Sequence, residues 1–275
     1  MKHESKNPLW PEVLLILSGL ATVAPLLLLV VTAFKPEAEV LNFQAVLPRE
    51  WTWSNFVRIL GTPEEVPVGR WFFNSVLISS ATTLVVLTVS SLAAYALVRL
   101  RPPGSGVLLG VLVATMMIPG QVLLVPLYLI LNQIGWIDTP MALIFPGAAG
   151  AFGTFMLSQF FRGIPRELEE AAVIDGCGRL AIFVHIILPL ARPALATLAI
   201  FTFMGTWNDF SGPLVLLDSI SHYTLPVGIA LFQSSYASEY GLTFAASVLS
   251  TIPVLVVFLL FQRHIIQSVA FTGIK

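Results

Sequence analysis

Long apolar runs separated by short polar segments form the main pattern of this 275-residue chain. Six of the runs are long enough to cross a hydrocarbon layer of about 30 Å as helices. The pattern therefore predicts an all-α polytopic membrane protein with six transmembrane helices. We place these helices at Val13–Phe34, Trp71–Val98, Val107–Leu131, Met141–Phe161, Pro193–Leu217 and Leu242–Phe261.

The first apolar run, Val13–Phe34, could also be read as a secretory signal peptide. Its apolar core is longer than the usual core of about 7–15 residues in such peptides. No convincing small-residue cleavage site follows it. We interpret the run as a retained first span.

Composition supports a membrane location. Hydrophobic residues make up 56% of the chain and charged residues only 11%, whereas soluble domains carry about a quarter charged residues. The formal net charge of −1 does not suggest a nucleic acid partner. Cys177 is the only cysteine, so the chain can form neither an internal disulfide nor a cysteine-based metal site.

The placement of Lys and Arg predicts the orientation of the spans. With the N-terminus inside, the only outer Lys and Arg residues fall in the first outer segment, and the two later outer segments have none. Both termini are therefore expected in the cytoplasm. The inner positions are Lys2, Lys6, Arg99, Arg101, Arg162, Arg166, Arg179, Arg192, Arg263 and Lys275, and the outer ones are Lys35, Arg49, Arg58 and Arg70.

A charged loop, residues 162–192, interrupts the apolar C-terminal half on the predicted cytoplasmic side. Pro165 suits the first position of a helix, acidic residues follow in its first turns, and Gly176 suits the left-handed residue that ends it. A second short helix is predicted from Leu180 to Leu188, ending at Pro189. By chemistry alone, the charged loop could rest on lipid headgroups or dock against a partner.

Seven residues of the charged loop stand at a recognisable spacing: Glu170, Ala171, Ala172, Gly176, Ile186, Leu188 and Pro189. This spacing resembles the EAA loop of ABC-importer permeases, where a membrane subunit receives force from its ATPase. The resemblance implies two cytoplasmic coupling helices. It assigns ATPase coupling to Glu167, Glu169, Glu170, Ala171, Ala172, Asp175, Gly176, Ile186, Leu188 and Pro189.

The resemblance continues to the chain end and is strongest to the carbohydrate permeases, in particular the smaller, six-span subunit of the maltose and glycerol-phosphate type. It is carried by Trp207-Asn208-Asp209, Pro213-Leu214, Thr224-Leu-Pro-Val-Gly228, Ala245-Ala246, Pro253 and Gln262-Arg263. It implies the type I importer (MetI-like) fold. The corresponding segments are an N-terminal span with its outer loop (1–70), a permease core (71–262) and a cytoplasmic tail (263–275) that enters the ATPase dimer in maltose-type relatives.

The same resemblance implies an assembly in a bacterial or archaeal plasma membrane. The partners are a second permease subunit, two copies of an ATPase that bind ATP and Mg, and an external or periplasmic solute-binding protein. The solute is a carbohydrate, and this chain would supply half of its pathway.

The fifth span contains a polar cluster, Trp207-Asn208-Asp209. A carboxylate at the centre of a membrane costs roughly 2.5–3.5 kcal/mol, so Asp209 should face protein or water. Asn208 and Asp209 could bind solute hydroxyls while Trp207 or Phe210 stacks on a sugar face. Alternatively, Asp209 could brace a helix that is loosened at Gly212-Pro213.

Two other features each allow two interpretations. The first outer segment, Lys35 to Arg70, carries Trp51 and Trp53, with Trp71 at its end. These residues could form an interfacial aromatic belt or contact an external protein. The fourth span is rich in small residues that permit close helix packing, inside the subunit or between subunits. These are Gly147, Ala148, Ala149, Gly150, Ala151 and Gly153.

The chain lacks the Gly-x-x-x-x-Gly-Lys-Ser/Thr string of nucleotide-hydrolysing loops, and its four His residues show no metal or catalytic spacing. Gly176-Cys-Gly-Arg-Leu-Ala181 matches a loose dinucleotide fingerprint, but it follows a helix rather than a strand. A non-catalytic subunit without its own cofactor or metal is therefore expected. The alternatives are a self-sufficient carrier or channel using Asp209, and a membrane-embedded enzyme.

Overall fold

A computed structural model describes residues 10–42, 45–61, 67–148, 150–235 and 239–272. These residues form helices joined by short loops, and none of them forms a strand. The helices are α1 Trp10–Ala33, α2 Glu37–Val40, α3 Ser54–Gly61, α4 Val68–Leu100, α5 Ser105–Thr115, α6 Gly120–Gln133, α7 Met141–Ala148, α8 Ala151–Arg162, α9 Glu167–Ile174, α10 Arg179–Leu190, α11 Arg192–Trp207, α12 Ser211–Leu216, α13 Leu225–Ser235 and α14 Tyr240–Thr272.

Four predicted spans are confirmed as helices long and apolar enough to cross a membrane. The count rises to six if each of two bent helix pairs, α5 with α6 and α10 with α11, is one span. The four are Trp10–Ala33, Val68–Leu100, Met141–Arg162 and Tyr240–Leu259.

The third predicted span, Val107–Leu131, is not one straight helix. Helices α5 and α6 meet at an angle of 101° across Met116–Pro119. Pro119 has extended backbone (φ −60°, ψ 128°) and cannot donate a helical hydrogen bond, so α5 ends before it and α6 starts after it. The apolar run is therefore a broken span or a re-entrant pair.

The fifth predicted span, Pro193–Leu217, is also interrupted. Helix α11 ends at Trp207, and α12 begins again at Ser211. The break lies before Gly212-Pro213, where we expected it. Pro213 lies in the first turn of α12, a position that needs no intrahelical N–H, so proline is tolerated there.

The chain divides into two compact units. Residues 1–68 and 229–252 form the first, and residues 69–228 and 253–275 form the second. The sequence-based segments 1–70, 71–262 and 263–275 remain a prediction. The end of the tail, Gly273–Lys275, lies outside the described residues, as does Ala149 of the small-residue run.

In the first unit, hydrogen bonds of Asn55 and Glu37 connect the segment after α1 with its neighbours. The amide of Asn55 donates to the carbonyls of Ala33 and Lys35, each at 2.9 Å. The carboxylate of Glu37 accepts the backbone N–H groups of Tyr240 and Gly241, each at 2.8 Å, and so caps the start of α14.

The aromatic residues around this segment divide into two groups. Trp51 and Trp53 are 61% and 67% exposed, which suits either a lipid interface or a protein contact. In the second unit, Trp71 is 4% exposed, and its indole N–H donates to the Ile220 carbonyl at 2.7 Å. Its assignment to an interfacial belt is therefore wrong, because Trp71 packs inside the protein.

The main core of the second unit lies where α4, α8, α10 and α11 meet. Close approach in this region depends on Gly153 of α8. A Cβ atom there would lie 2.6 Å from the Ser90 hydroxyl and 3.1 Å from a Leu198 methyl. At Gly153, the small-residue run therefore serves packing within the subunit. Buried members of this core include Val86, Tyr95, Leu157, Phe161, Ile187 and Leu198.

Candidate functional sites in the charged loop and at the broken helix

The first helix of the charged loop, α9, ends in a Schellman motif at Gly176. The N–H of Gly176 donates to the Val173 carbonyl at 3.0 Å, and the N–H of Cys177 donates to the Ala172 carbonyl at 2.9 Å. Gly176 has φ +81°, a left-handed conformation that favours glycine. The predicted end of this helix is confirmed. Its predicted start at Pro165 is wrong by two residues, since the first helical turn closes on the Arg166 carbonyl.

Part of the charged loop points outward. Apolar side chains on it are unusually open, with Ile174 86% and Leu180 71% exposed. Contiguous exposed apolar residues commonly mark a protein contact. Ile174 and Leu180 were not among the predicted contact residues, although apolar side chains in a charged loop were a visible signal. The exposed coupling candidates are Glu167, Glu170, Ala171, Asp175 and Gly176.

The other coupling candidates point inward. Ala172 is 7% exposed and belongs to the main core, and Ile186 and Leu188 pack against that core. Glu169 pairs with Arg99 of α4. Pro189 is half-buried. The structure therefore divides the predicted coupling residues into an outward set and a set that anchors the charged loop.

The second helix of the charged loop, α10, does not stop at Pro189 as predicted. It continues to Leu190 through a π-helical turn, Phe183–Ile187. Pro189 lies at the start of the short α-helical segment after this turn, where its missing N–H is tolerated. Helix α11 then leaves at 76° to α10.

The polar cluster at the end of α11 is spread over different environments. Trp207 is 1% exposed and packs between Phe72 and Phe203, with ring centroids 5.8 and 5.9 Å away. Its candidate role in stacking on solute is therefore wrong for this structure. Asn208 is exposed, and its side-chain amide donates to the Met204 carbonyl at 2.9 Å.

Asp209 stands at the break between α11 and α12. Its carboxylate accepts the N–H of Gly212 at 3.3 Å, one of the donors that a helix start leaves unpaired. A Cβ atom at Gly212 would lie 2.6 Å from this carboxylate. This geometry supports the bracing interpretation of Asp209.

Asp209 also lines a cavity of about 450 Å³ in the second unit. The walls come from α4, α6, α7, α11 and α12 and are mainly apolar, with Thr82, Thr206 and Thr224 among them. A cavity of this kind can take a small solute or water. Asp209 therefore remains a candidate for the pathway as well as a brace.

A second carboxylate, Asp138, connects two loops on the predicted outer side. It accepts the N–H groups of Asp218 and Ser219 at 3.0 and 2.9 Å, and His222 Nδ1 lies 3.1 Å from it. Burial raises the pKa of Asp138, but the hydrogen bonds from Ser219, Asp218 and His222 outweigh this and lower it to about 2. Asp138 was not among the predicted site residues, because its partners lie about eighty positions away in the sequence.

Among the residues that the structure describes, no group of three His, Cys, Asp or Glu side chains could hold a metal ion. The geometry of the described sites is that of contact surfaces and helix braces rather than of converging reactive groups.

Comparisons with known proteins agree with one another. The family model described as binding-protein-dependent transport system inner membrane component matches residues 86–271. The chain is 35% identical over 261 residues to the diacetylchitobiose uptake system permease protein NgcG of Streptomyces coelicolor, covering 94% of this chain and 85% of that protein. It is 34% identical over 256 residues to the arabinooligosaccharides transport system permease protein AraQ of Halalkalibacterium halodurans, covering 92% and 91%.

The fold is similar to that of a chain in the crystal structure of a bacterial ABC transporter involved in the import of the acidic polysaccharide alginate. The TM-score is 0.82 with 24% identity, over 93% of this chain and 95% of that chain. This likeness shows the fold.

Proposed function

Because this chain belongs to the family of binding-protein-dependent transport system inner membrane components, we propose that it carries a carbohydrate through a membrane as one permease subunit of an ABC importer. As a member of this family, the chain is a non-catalytic membrane subunit that works with an ATPase and a solute-binding protein. The assembly we propose pairs it with a different permease subunit and two ATPase copies, which bind ATP and Mg. Each permease then forms half of the pathway.

The charged loop carries this proposal. It presents an exposed surface of acids and apolar side chains on α9 and the start of α10, while its inner residues are fixed in the core. A loop that only rested on headgroups would not need an anchor of this kind. We assign contact with the ATPase to the outward residues Glu167, Glu170, Ala171, Asp175 and Gly176, and transmission to Glu169, Ala172, Ile186, Leu188 and Pro189.

Carbohydrate as the solute class is supported by the names of the similar proteins, which refer to diacetylchitobiose and arabinooligosaccharides. In this proposal Asp209 braces the broken helix and contributes the polar wall of the cavity beside it. Asn208 is its exposed neighbour on the pathway.

The orientation we propose places both termini and the charged loop in the cytoplasm of a bacterial or archaeal cell, in its plasma membrane. It is supported by the clustering of Lys and Arg on that side. ATP binding would close the ATPases and pull on the charged loop, and the spans attached to it would change the side on which the cavity opens.

Reconstitution in liposomes tests the proposal. The chain would be combined with its companion permease, ATPase and solute-binding protein, and uptake of labelled oligosaccharides would be measured with and without ATP. We expect uptake only with ATP and with all subunits. Uptake by the chain alone under an ion gradient would instead support the self-sufficient carrier that uses Asp209.

A further inference from the structure

A buried positive charge lies at the cytoplasmic end of α4. The side chain of Arg99 is 3% exposed and forms an ion pair with Glu169 of α9, whose side chain is 19% exposed. It also donates to the carbonyls of Phe161 and Ile164, at 3.1 and 3.0 Å, where α8 ends. The guanidinium thus joins three elements: α4, the end of α8 and α9.

Separating α4, the end of α8 and α9 would cost free energy, because Arg99 would lose its partners. A buried charge is tolerated only when it is paired and its hydrogen bonds are satisfied. The last carbonyls of a helix have no partner within that helix and carry partial negative charge, which Arg99 meets at the end of α8. If α9 moved away from α4 alone, the guanidinium would lose its counter-charge in a site with little water. The three elements are therefore expected to move together.

A second contact starts one helical turn earlier on α4. The hydroxyl of Tyr95 donates to the Arg179 carbonyl at 3.2 Å, at the start of α10. Its ring packs against Phe183 of the same helix, with centroids 5.0 Å apart. Residues four apart on a helix lie on one face, so a single face of α4 holds both helices of the charged loop.

The helix geometry also changes at this place. α4 is α-helical to Tyr95 and continues as a π-helical turn over Ala96–Leu100, which contains Arg99. Such turns are rare and often lie at functional positions. Here the turn starts directly after Tyr95, includes Arg99 and is followed by Arg101, which is left-handed with φ 47°.

We infer that Arg99 and Tyr95 are positioning residues that carry displacement of the charged loop into the membrane through α4. The inference rests on the proposed function, because it takes the charged loop to be moved by an ATPase. α4 reaches from the loop to the cavity, since Ile78 and Thr82 of this helix line that cavity. One continuous helix therefore connects the charged loop with the wall of the candidate pathway.

The complete importer in liposomes tests the inference. Three quantities are needed: uptake, basal ATP hydrolysis, and stimulation of hydrolysis by the loaded solute-binding protein. For Arg99→Met we expect assembly and basal hydrolysis to persist while uptake and stimulation fall about tenfold, within the range of coupling changes that such variants cause. Tyr95→Phe, which loses only the hydroxyl, should give a smaller loss of the same kind.

Glu169→Gln provides the second arm because it removes the charge without changing the shape. It should lose stimulation as Arg99→Met does, and the double variant should be no worse than Arg99→Met alone, since the pair acts as a unit. Arg101→Asn is the matched control. It removes the same charge from an exposed residue two positions away, and Asn tolerates the left-handed conformation.

The outcomes separate the inference from the proposed function. Full stimulation and uptake in both Arg99→Met and Glu169→Gln would overturn the inference. So would losses that merely follow the amount of assembled complex, because they would show a role in folding alone. If Arg99→Met or Glu169→Gln fails to assemble, Tyr95→Phe decides, because it removes only a hydroxyl and leaves no buried charge unpaired. Absence of ATP-driven uptake with the unaltered chain would instead overturn the proposed function.

Discussion

At the scale of the residue, Gly176 shows how one backbone angle shapes a contact surface. Its left-handed conformation lets the chain leave α9 and begin α10 within a few residues. Any residue with a Cβ pays about 1–2 kcal/mol in that conformation. The Schellman motif would weaken, and the outward face of α9 would lose its fixed position relative to α10.

We therefore expect Gly176→Val to insert into the membrane and to lose carbohydrate uptake. Uptake would be measured in cells that lack other routes, and the amount of inserted chain by immunoblot of membranes. Gly178→Ala is the matched control, because Gly178 has φ −74° and open space around its Cβ position. Wild-type uptake by Gly176→Val at equal membrane levels would contradict the role of the charged loop.

Asp209 and Trp207 are close in sequence but lie in different environments. Both belong to one short polar cluster, yet the structure buries the indole between two Phe rings and leaves the carboxylate at a helix break. A side chain's neighbours in space, rather than its neighbours in sequence, decide whether it can meet a solute.

At the scale of the element, close packing between α4, α8 and α11 depends on the absence of a side chain at Gly153. Membrane helices gain stability from such close approach because burial of apolar surface from lipid contributes little. The Ser90 hydroxyl and a Leu198 methyl occupy the space that a Cβ atom would need.

Gly153→Ala should lower the thermal unfolding midpoint of the purified chain, with an overpacking cost of about 1–3 kcal/mol. Adding Ser90→Ala removes the nearest atom and should recover part of the loss. Gly110→Ala is the control, since nothing lies within 4 Å of its Cβ position in α5. An unchanged unfolding midpoint in Gly153→Ala would show that α8 can move away from α4 and α11 without loss of stability.

At the scale of the whole molecule, the orientation of the chain can be tested at its only cysteine. Cys177 is exposed and follows Gly176 in the charged loop. We expect an impermeant maleimide to label it in inverted membrane vesicles but not in intact cells. Bound ATPase should slow the labelling, because the proposed contact surface covers that region.

Cys177→Ala provides the unlabelled control for this measurement. Labelling from outside intact cells would contradict the predicted orientation. It would place the charged loop outside the compartment that holds ATP. Equal labelling with and without the ATPase would contradict contact at this surface while leaving the orientation intact.

Sequence patterns were enough to predict the membrane class, four of the spans, the charged loop and the glycine that ends α9. These features follow from local rules: apolar length, charge placement and backbone conformation act within one segment. The breaks at Pro119 and before Pro213 also have a local cause in proline, but the 101° angle between α5 and α6 is seen only in the structure.

The folded structure was needed to show which residues of the charged loop face outward and which hold the loop in place. The sequence grouped Glu169 with Glu170 because they are adjacent, but the structure turns Glu169 toward Arg99, seventy residues earlier. The physical reason is that a buried charge must find its partner across the fold, and no local pattern records that partner.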